Sequence, residues 1–202
     1  ARKMYGMVFC STELEQVAAS VCRAAVSSTD KKEILHLRGE MLRLNTLLFE
    51  TLKQEAGAKY DKTSQAVRFT PAVTRILRAL AVVLGRLSSC FQTAKRYTLL
   101  ASRIDQKQEK LMVLLEHAQS ICWLEHTGVT SCQVCALPKE LDYLLYEDIW
   151  NSDIPCVLTS ATLSIGGDFS HFMHQTGIDL LEQNRLLMTS KASPFDYENH
   201  AL

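Results

Sequence analysis

TPAVTRILRALAVVLGRLSSCF, running from Thr70 to Phe91, is the stretch whose reading decides the fold class. Thr70 offers a hydroxyl N-cap and Pro71 takes the first helical position, where its missing N–H costs nothing, so a helix starts here and continues into the low nineties. Leu77, Leu80, Leu84, Leu87 and Phe91 recur at helical spacing on the side away from Arg75, Arg78 and Arg86. One apolar and one basic face is the pattern of a helix packed in a bundle.

The neighbouring text repeats that period. Thr12 with Glu15 forms a capping-box start for a helix to about residue 27, and Asp30 with Glu33 opens a longer one. The latter carries Ile34, Leu37, Met41, Leu44, Leu48 and Leu52 at helical intervals, with Gly57 as its stop. A further helix is expected up to about His126, ended by Gly128. Residues 1–128 therefore read as a mostly α domain, an antiparallel helical bundle.

From residue 129 the period changes. Residues 130–137 alternate like a strand, and Pro138 begins a helix carrying Leu141, Leu144, Leu145, Ile149 and Trp150. Ile154 to Thr159 reads as a buried strand, followed by a helix over Asp168–Gln175 and a strand around Asn184–Thr189. That alternation belongs to the edge of an α/β domain, so the chain as a whole is α+β, with a second domain over 129–202.

The zero net charge conceals a division. Residues 1–126 hold 19 Lys and Arg against 12 Asp and Glu, whereas residues 127–202 hold 3 against 10. Between Asp61 and Asp105 there is no carboxylate, although Lys62, Arg68, Arg75, Arg78, Arg86, Lys95, Arg96 and Arg103 fall inside. Surface helices ordinarily mix signs, because opposite charges three or four residues apart stabilise them. On one continuous helix Arg75, Arg78, Arg86, Arg96 and Arg103 would share an arc of about 100°. Such a face suits phosphates, which arginine grips in a bidentate way, and Phe69 and Tyr97 add aromatic surface nearby. The candidate nucleic-acid contacts are thus Arg68, Arg75, Arg78, Arg86, Lys95, Arg96 and Arg103, without a base-reading signature. The alternative is a solvated face, or one that docks an acidic protein or the acidic second half.

Other chemistries find little support. The seven cysteines are scattered through apolar runs and read as reduced core thiols in a soluble, cytoplasmic protein. Cys132 and Cys135 have metal-like spacing but no second ligand pair, and their alternation in a strand sends them to opposite faces. His171 and His174 lie three apart on a short helix, where a surface or packing role outweighs a shared metal; His36, His117, His126 and His200 stand near no nucleophile or carboxylate at a suggestive offset. No run of 18 residues is apolar and uncharged, so no membrane partner is expected.

The most specific text is Ile-Pro-Cys-Val-Leu-Thr-Ser-Ala-Thr-Leu-Ser, Ile154 to Ser164. Thr159–Leu163 resembles motif III of superfamily-two helicases. Pro138-Lys139-Glu140-Leu141 with Leu144-Leu145 and Trp150 precede it; Gly166-Gly167-Asp168-Phe169, Phe172 and Ser193-Pro194-Phe195-Asp196-Tyr197 follow. In that order these segments resemble the DinG/XPD-like branch over residues 136–202. The resemblance implies an ATP-dependent DNA helicase of repair or replication, moving 5′ to 3′. Its helical arch interrupts the first RecA-like domain just before motif III, the place that residues 1–128 occupy by architecture and charge. It further implies that Thr159, Ser160, Ala161 and Thr162 couple nucleotide state to DNA movement, that the basic stretch faces single-stranded DNA, and that the other helicase domains of the same chain are partners.

No glycine-rich phosphate loop ending in Lys-Ser/Thr and no Asp-Glu-Ala-His box occurs here. ATP and magnesium are therefore expected in the parent enzyme and not on this fragment, which should be inactive alone. The resemblance also allows an iron–sulfur cluster in the parent, with ligands from cysteines other than these. Ala1-Arg-Lys-Met-Tyr-Gly reads as the tail of a helix already under way, and Glu-Asn-His-Ala-Leu202 stops without a cap, so the chain reads as a middle slice of a longer protein. A rival reading is a helical interaction module whose basic face recruits an acidic protein.

Overall fold

The structure is a computed structural model that describes residues 5–25, 30–57, 64–92, 95–116, 120–127, 131–160 and 162–191. Expectations resting on Ala1, Lys62, His117, Gly128, Ala161, His200 or Ser193–Tyr197 lie outside these residues. The chain is mostly helical and divides into two compact units, residues 2–139 and residues 140–202.

Among the described residues, four α-helices and a four-stranded antiparallel sheet build the first unit. In chain order they are β1 (Met7–Cys10), α1 (Glu13–Ala25), α2 (Lys31–Ala56), β2 (Gln65–Ala66), α3 (Pro71–Gln92), α4 (Thr98–Glu116), β3 (Ile121–His126) and β4 (Cys132–Leu137). The strand order is β1-β4-β3-β2, so the first strand closes on the last, with Met7 opposite Ala136. Phe9, Cys122, Leu124, Cys132, Val134 and Ala136 point from one sheet face into the core formed by the helices. Phe9 stacks on Phe49 of α2 with centroids 6.1 Å apart.

The helical reading holds where periodicity carried it. Ile34, Leu37, Met41, Leu44, Leu48 and Leu52 are all buried, as are Leu77, Leu80, Leu84, Leu87 and Phe91. Thr70 Oγ1 accepts the Val73 N–H at 3.4 Å, the cap expected ahead of Pro71. Gly57, at φ 76°, ends α2 and donates its N–H to the Gln54 carbonyl. At α1 the reach-back comes from Glu13, whose Oε1 accepts the Cys10 N–H at 3.0 Å.

Three expectations need correction. The helix after α3 stops at Glu116, and Ile121–His126 is strand β3, paired residue for residue with β4. Cys122 and Leu124 point inward while Ile121 and Trp123 point out, a period of two that a long helical reading overran. The boundary drawn at 128/129 consequently falls inside the β3–β4 hairpin, and β4 belongs to the first unit. Neither Ile154–Thr159 nor Asn184–Thr189 is a strand. Among the described residues of 140–202 no strand lies beside either segment, and a segment without a partner has no ladder to form. Ile154 is 73% exposed, Val157 87% and Leu187 94%.

The second unit is small. Helix α5 (Leu141–Leu145) widens into a π-helical turn, Tyr146–Trp150, and α6 (Ser170–Thr176) returns to it. Trp150 Nε1 donates to the Thr176 carbonyl at 2.6 Å, and Arg185 donates to the carbonyls of Ser152 at 2.8 Å and Trp150 at 3.3 Å. Leu145 and Ile178 are its buried apolar residues among those described.

One charged group inside the first unit sets a pH dependence. Glu13 accepts from Lys107 and, at 3.0 and 3.1 Å, from Lys110. Burial pushes its carboxyl up, but the Lys107 ammonium, the Cys10 N–H and Lys110 outweigh that and hold it below the usual carboxylate range. A depressed folded-state value stabilises above the unfolded value of about 4.3 and is lost as pH falls through the folded one. Urea unfolding of Glu13→Gln should show a loss of roughly 1–3 kcal/mol at pH 7 that shrinks steadily below about pH 4.5. A loss independent of pH would refute the ion cluster.

Candidate nucleic-acid interface

Helices α3 and α4 form a hairpin. Ser88 Oγ donates to the Ala101 carbonyl at 3.5 Å, the backbone at Gly85 closely approaches Gln108, and Arg78, Ala81 and Val82 line one groove with Met112 and Leu115. Rising numbers on one helix meet falling numbers on the other, so the two run antiparallel.

That geometry redistributes the basic residues. Arg68, Arg75, Arg78, Arg86, Lys95, Arg96 and Arg103 are all exposed, as a binding face requires. They do not share the single arc of a continuous helix, because the chain reverses between α3 and α4. Arg75 and Arg78 sit on the first two turns of α3, Arg68 just before it, whereas Lys95, Arg96 and Arg103 gather at the bend. Arg103 lies level with the part of α3 between Gly85 and Ser88, two turns beyond Arg78, so the two groups stand at least about 10 Å apart along the helix.

Packing of two aromatic rings fixes the bend. Phe91, fully buried, meets Tyr97 edge-on with centroids 5.4 Å apart, and the Tyr97 hydroxyl donates to the Ala24 carbonyl of α1 at 3.1 Å. The Arg96 guanidinium lies over the Tyr97 ring, 4.7 Å from its centroid, a cation–π contact that limits its rotamers. Arg86 pairs with Glu33 of α2 at 2.8 Å, so part of its charge is answered within the fold. Among the described residues Arg75, Arg78 and Arg103 form no ion pair. Sequence reasoning missed Arg23. It lies on the last turn of α1, far before Arg96 in the chain, and only the tertiary fold brings it to the bend.

In the second unit Ser160 and Thr162 form a hydroxyl pair. Their oxygens are 3.0 Å apart, and Ser160 Oγ also accepts the Thr162 N–H at 3.2 Å, a local turn at the end of the apolar run. Thr159, Ser160 and Thr162 are exposed. Beyond them Gly166 and Gly167, both at positive φ, make a tight turn closed by reciprocal Ile165 and Asp168 backbone bonds. Asp168 Oδ1 then accepts the Ser170 hydroxyl at 2.6 Å and the Ser170 N–H at 2.8 Å at the start of α6, which holds its carboxyl below the usual range.

Metal-ligating constellations are absent among the described residues. Cys132 and Cys135 are buried on opposite faces of β4, and burial pushes the Cys122 thiol up to about 11, the behaviour of a packing residue. His174 faces Asp179 at 3.1 Å. No described helix is long and apolar enough to cross a membrane.

Over 64 residues, 32% of this chain and 9% of the relative, the sequence is 39% identical to the ATP-dependent DNA helicase DinG of Photobacterium profundum. Over 174 residues, 83% of this chain and 26% of the relative, it is 26% identical to the probable ATP-dependent helicase YpvA of Bacillus subtilis. The second match is longer than residues 140–202 and therefore extends into the helical unit. The chain spans about a quarter or less of the length of these curated relatives. It is similar to part of a DinG-like helicase, in agreement with the resemblance read from residues 136–202. No protein-family model matches it.

Proposed function

We propose that this chain serves an ATP-dependent DNA helicase, with residues 2–139 as an insert that contacts single-stranded DNA and residues 154–162 as the element coupling ATP to DNA movement. The observation that carries this reading is the run Ile154–Leu158. It is apolar and exposed, it has no partner strand among the described residues of its own unit, and it ends in the Ser160–Thr162 hydroxyl pair. Those are the properties of an inner strand of an open α/β sheet whose neighbours come from elsewhere in a longer chain, with its terminal hydroxyls at the edge where such sheets collect ligands. The residues here include no phosphate loop, so ATP and magnesium would be held by other helicase segments, and the role left to Ser160 and Thr162 is to sense them.

In the longer helicase, Ser160→Ala with Thr162→Ala should reduce unwinding by about tenfold or more while single-strand affinity changes less than about twofold. Equal loss of both activities would refute coupling.

A second reading has one observation in its favour. Beside Arg78 the groove between α3 and α4 exposes Val82 (62%) and Met112 (46%), apolar surface that suits a protein partner with acidic flanks. Pull-down with and without nuclease separates the two, because partners held through DNA are lost on digestion.

A further inference from the structure

At the bend of the α3–α4 hairpin lies a depression of about 470 Å³ whose charged lining is Arg23, Arg96 and Arg103. Ser20, Tyr97 and Leu99 complete most of its wall, and none of its described lining residues is a carboxylate. We infer that it is a phosphate clamp for single-stranded nucleic acid, built by α1 and α4 together, and distinct from the Arg75–Arg78 end of α3. This rests on the DNA reading above, to which it adds the component recognised and a residue, Arg23, drawn from another helix.

Convergence is the first reason. Arg23 on α1, with Arg96 and Arg103 at and after the bend, line one depression, so positive potential accumulates there. Pre-ordering is the second. Tyr97 is held by Phe91 and the Ala24 carbonyl and carries Arg96 on its ring, while Arg23 Nη2 donates to Ser20 Oγ at 3.2 Å. Side chains already restrained lose less entropy on gripping a ligand. The third is field: α4 begins at Thr98 beside the depression, so its N-terminal dipole adds positive potential to that of the arginines. Leu99, 67% exposed, gives the sugar or base an apolar surface next to the charges.

The test uses the 202-residue chain, a fluorescent oligo-dT and pyrophosphate as a small probe. Arg23→Ala with Arg103→Ala should weaken oligonucleotide binding roughly tenfold or more and reduce the slope of log affinity against log salt by about 1.4, two phosphate contacts at about 0.7 each. Arg75→Ala with Arg78→Ala should leave pyrophosphate binding unchanged. Arg23→Lys with Arg103→Lys should keep the salt slope and lose part of the affinity, because the charge remains and the bidentate fork does not. Arg23, Arg75, Arg78 and Arg103 are all exposed, so the variants retain the fold, which circular dichroism checks. Oligonucleotide binding unaffected by the Arg23 and Arg103 changes would overturn the clamp and leave the DNA reading standing. Pyrophosphate binding that depends on Arg23 and Arg103, without oligonucleotide binding, would support the anion site and overturn the DNA reading. Binding of neither probe would overturn both.

Discussion

Phe91→Ala lowers the unfolding free energy of residues 2–139 by about 3–5 kcal/mol. The ring is wholly buried where α3 ends, with Tyr97 against its edge, so truncation removes apolar transfer energy and opens a cavity at the chain reversal. Urea denaturation reads the loss as a lower midpoint at unchanged slope. Because Phe91 also supports Tyr97, and Tyr97 carries Arg96, the variant should weaken oligonucleotide binding even under conditions where it stays folded. Phe91→Leu fills most of the volume and should cost less than half as much. A Phe91→Ala protein as stable as the parent would mean that the bend is not packed as described.

Gly177→Ala should destabilise residues 140–202 by at least about 2 kcal/mol, a large share of what so small a unit has. Gly177 ends α6 at φ 71°, in the left-handed region, and an added Cβ would stand 2.1 Å from the Asp142 carbonyl oxygen. Both the conformation and the clash oppose a side chain, and the obstacle is backbone that cannot swing aside. Gly166 supplies the internal control. Its φ is 61°, yet nothing lies within 4 Å of where a Cβ would stand, so Gly166→Asn should cost well under half as much. Thermal melts of the two variants followed by Trp150 fluorescence would distinguish them, since the Trp150 indole bonds to Thr176 beside the affected turn. Equal melting temperatures would remove the steric account.

The helices were legible because each buries one stripe of its own surface, and a stripe is written locally. Every apolar position read along α2 and α3 is inside. Ile121–His126 was misjudged because its partner strand is not local in meaning: Cys122 and Leu124 gain their inward direction only by pairing with Ala136 and Val134. The run Ile154–Thr159 carries the composition of an inner strand, but composition does not supply neighbours, and among the described residues it remains bare. The basic residues were legible as a set and not as an arrangement. Their number and the missing carboxylates are in the text, whereas the reversal at Lys95–Tyr97 and the arrival of Arg23 depend on how Tyr97 reaches Ala24. Ser160 and Thr162 were found through family likeness, and the hydrogen bond between them belongs to a turn that sequence spacing alone suggests only weakly.

The closure of β1 on β4 has a mechanical consequence. With Met7 paired to Ala136, the polypeptide enters and leaves this helical body through two neighbouring strands, about 5 Å apart. A body hung on such a two-stranded stem can be grafted into a host fold at one loop without stretching the host, and can be cut out and replaced by a few residues. Torque delivered at the stem would turn the body as a unit, with the arginine cluster at the far end of a lever about 1.5 Å long for each residue of α4.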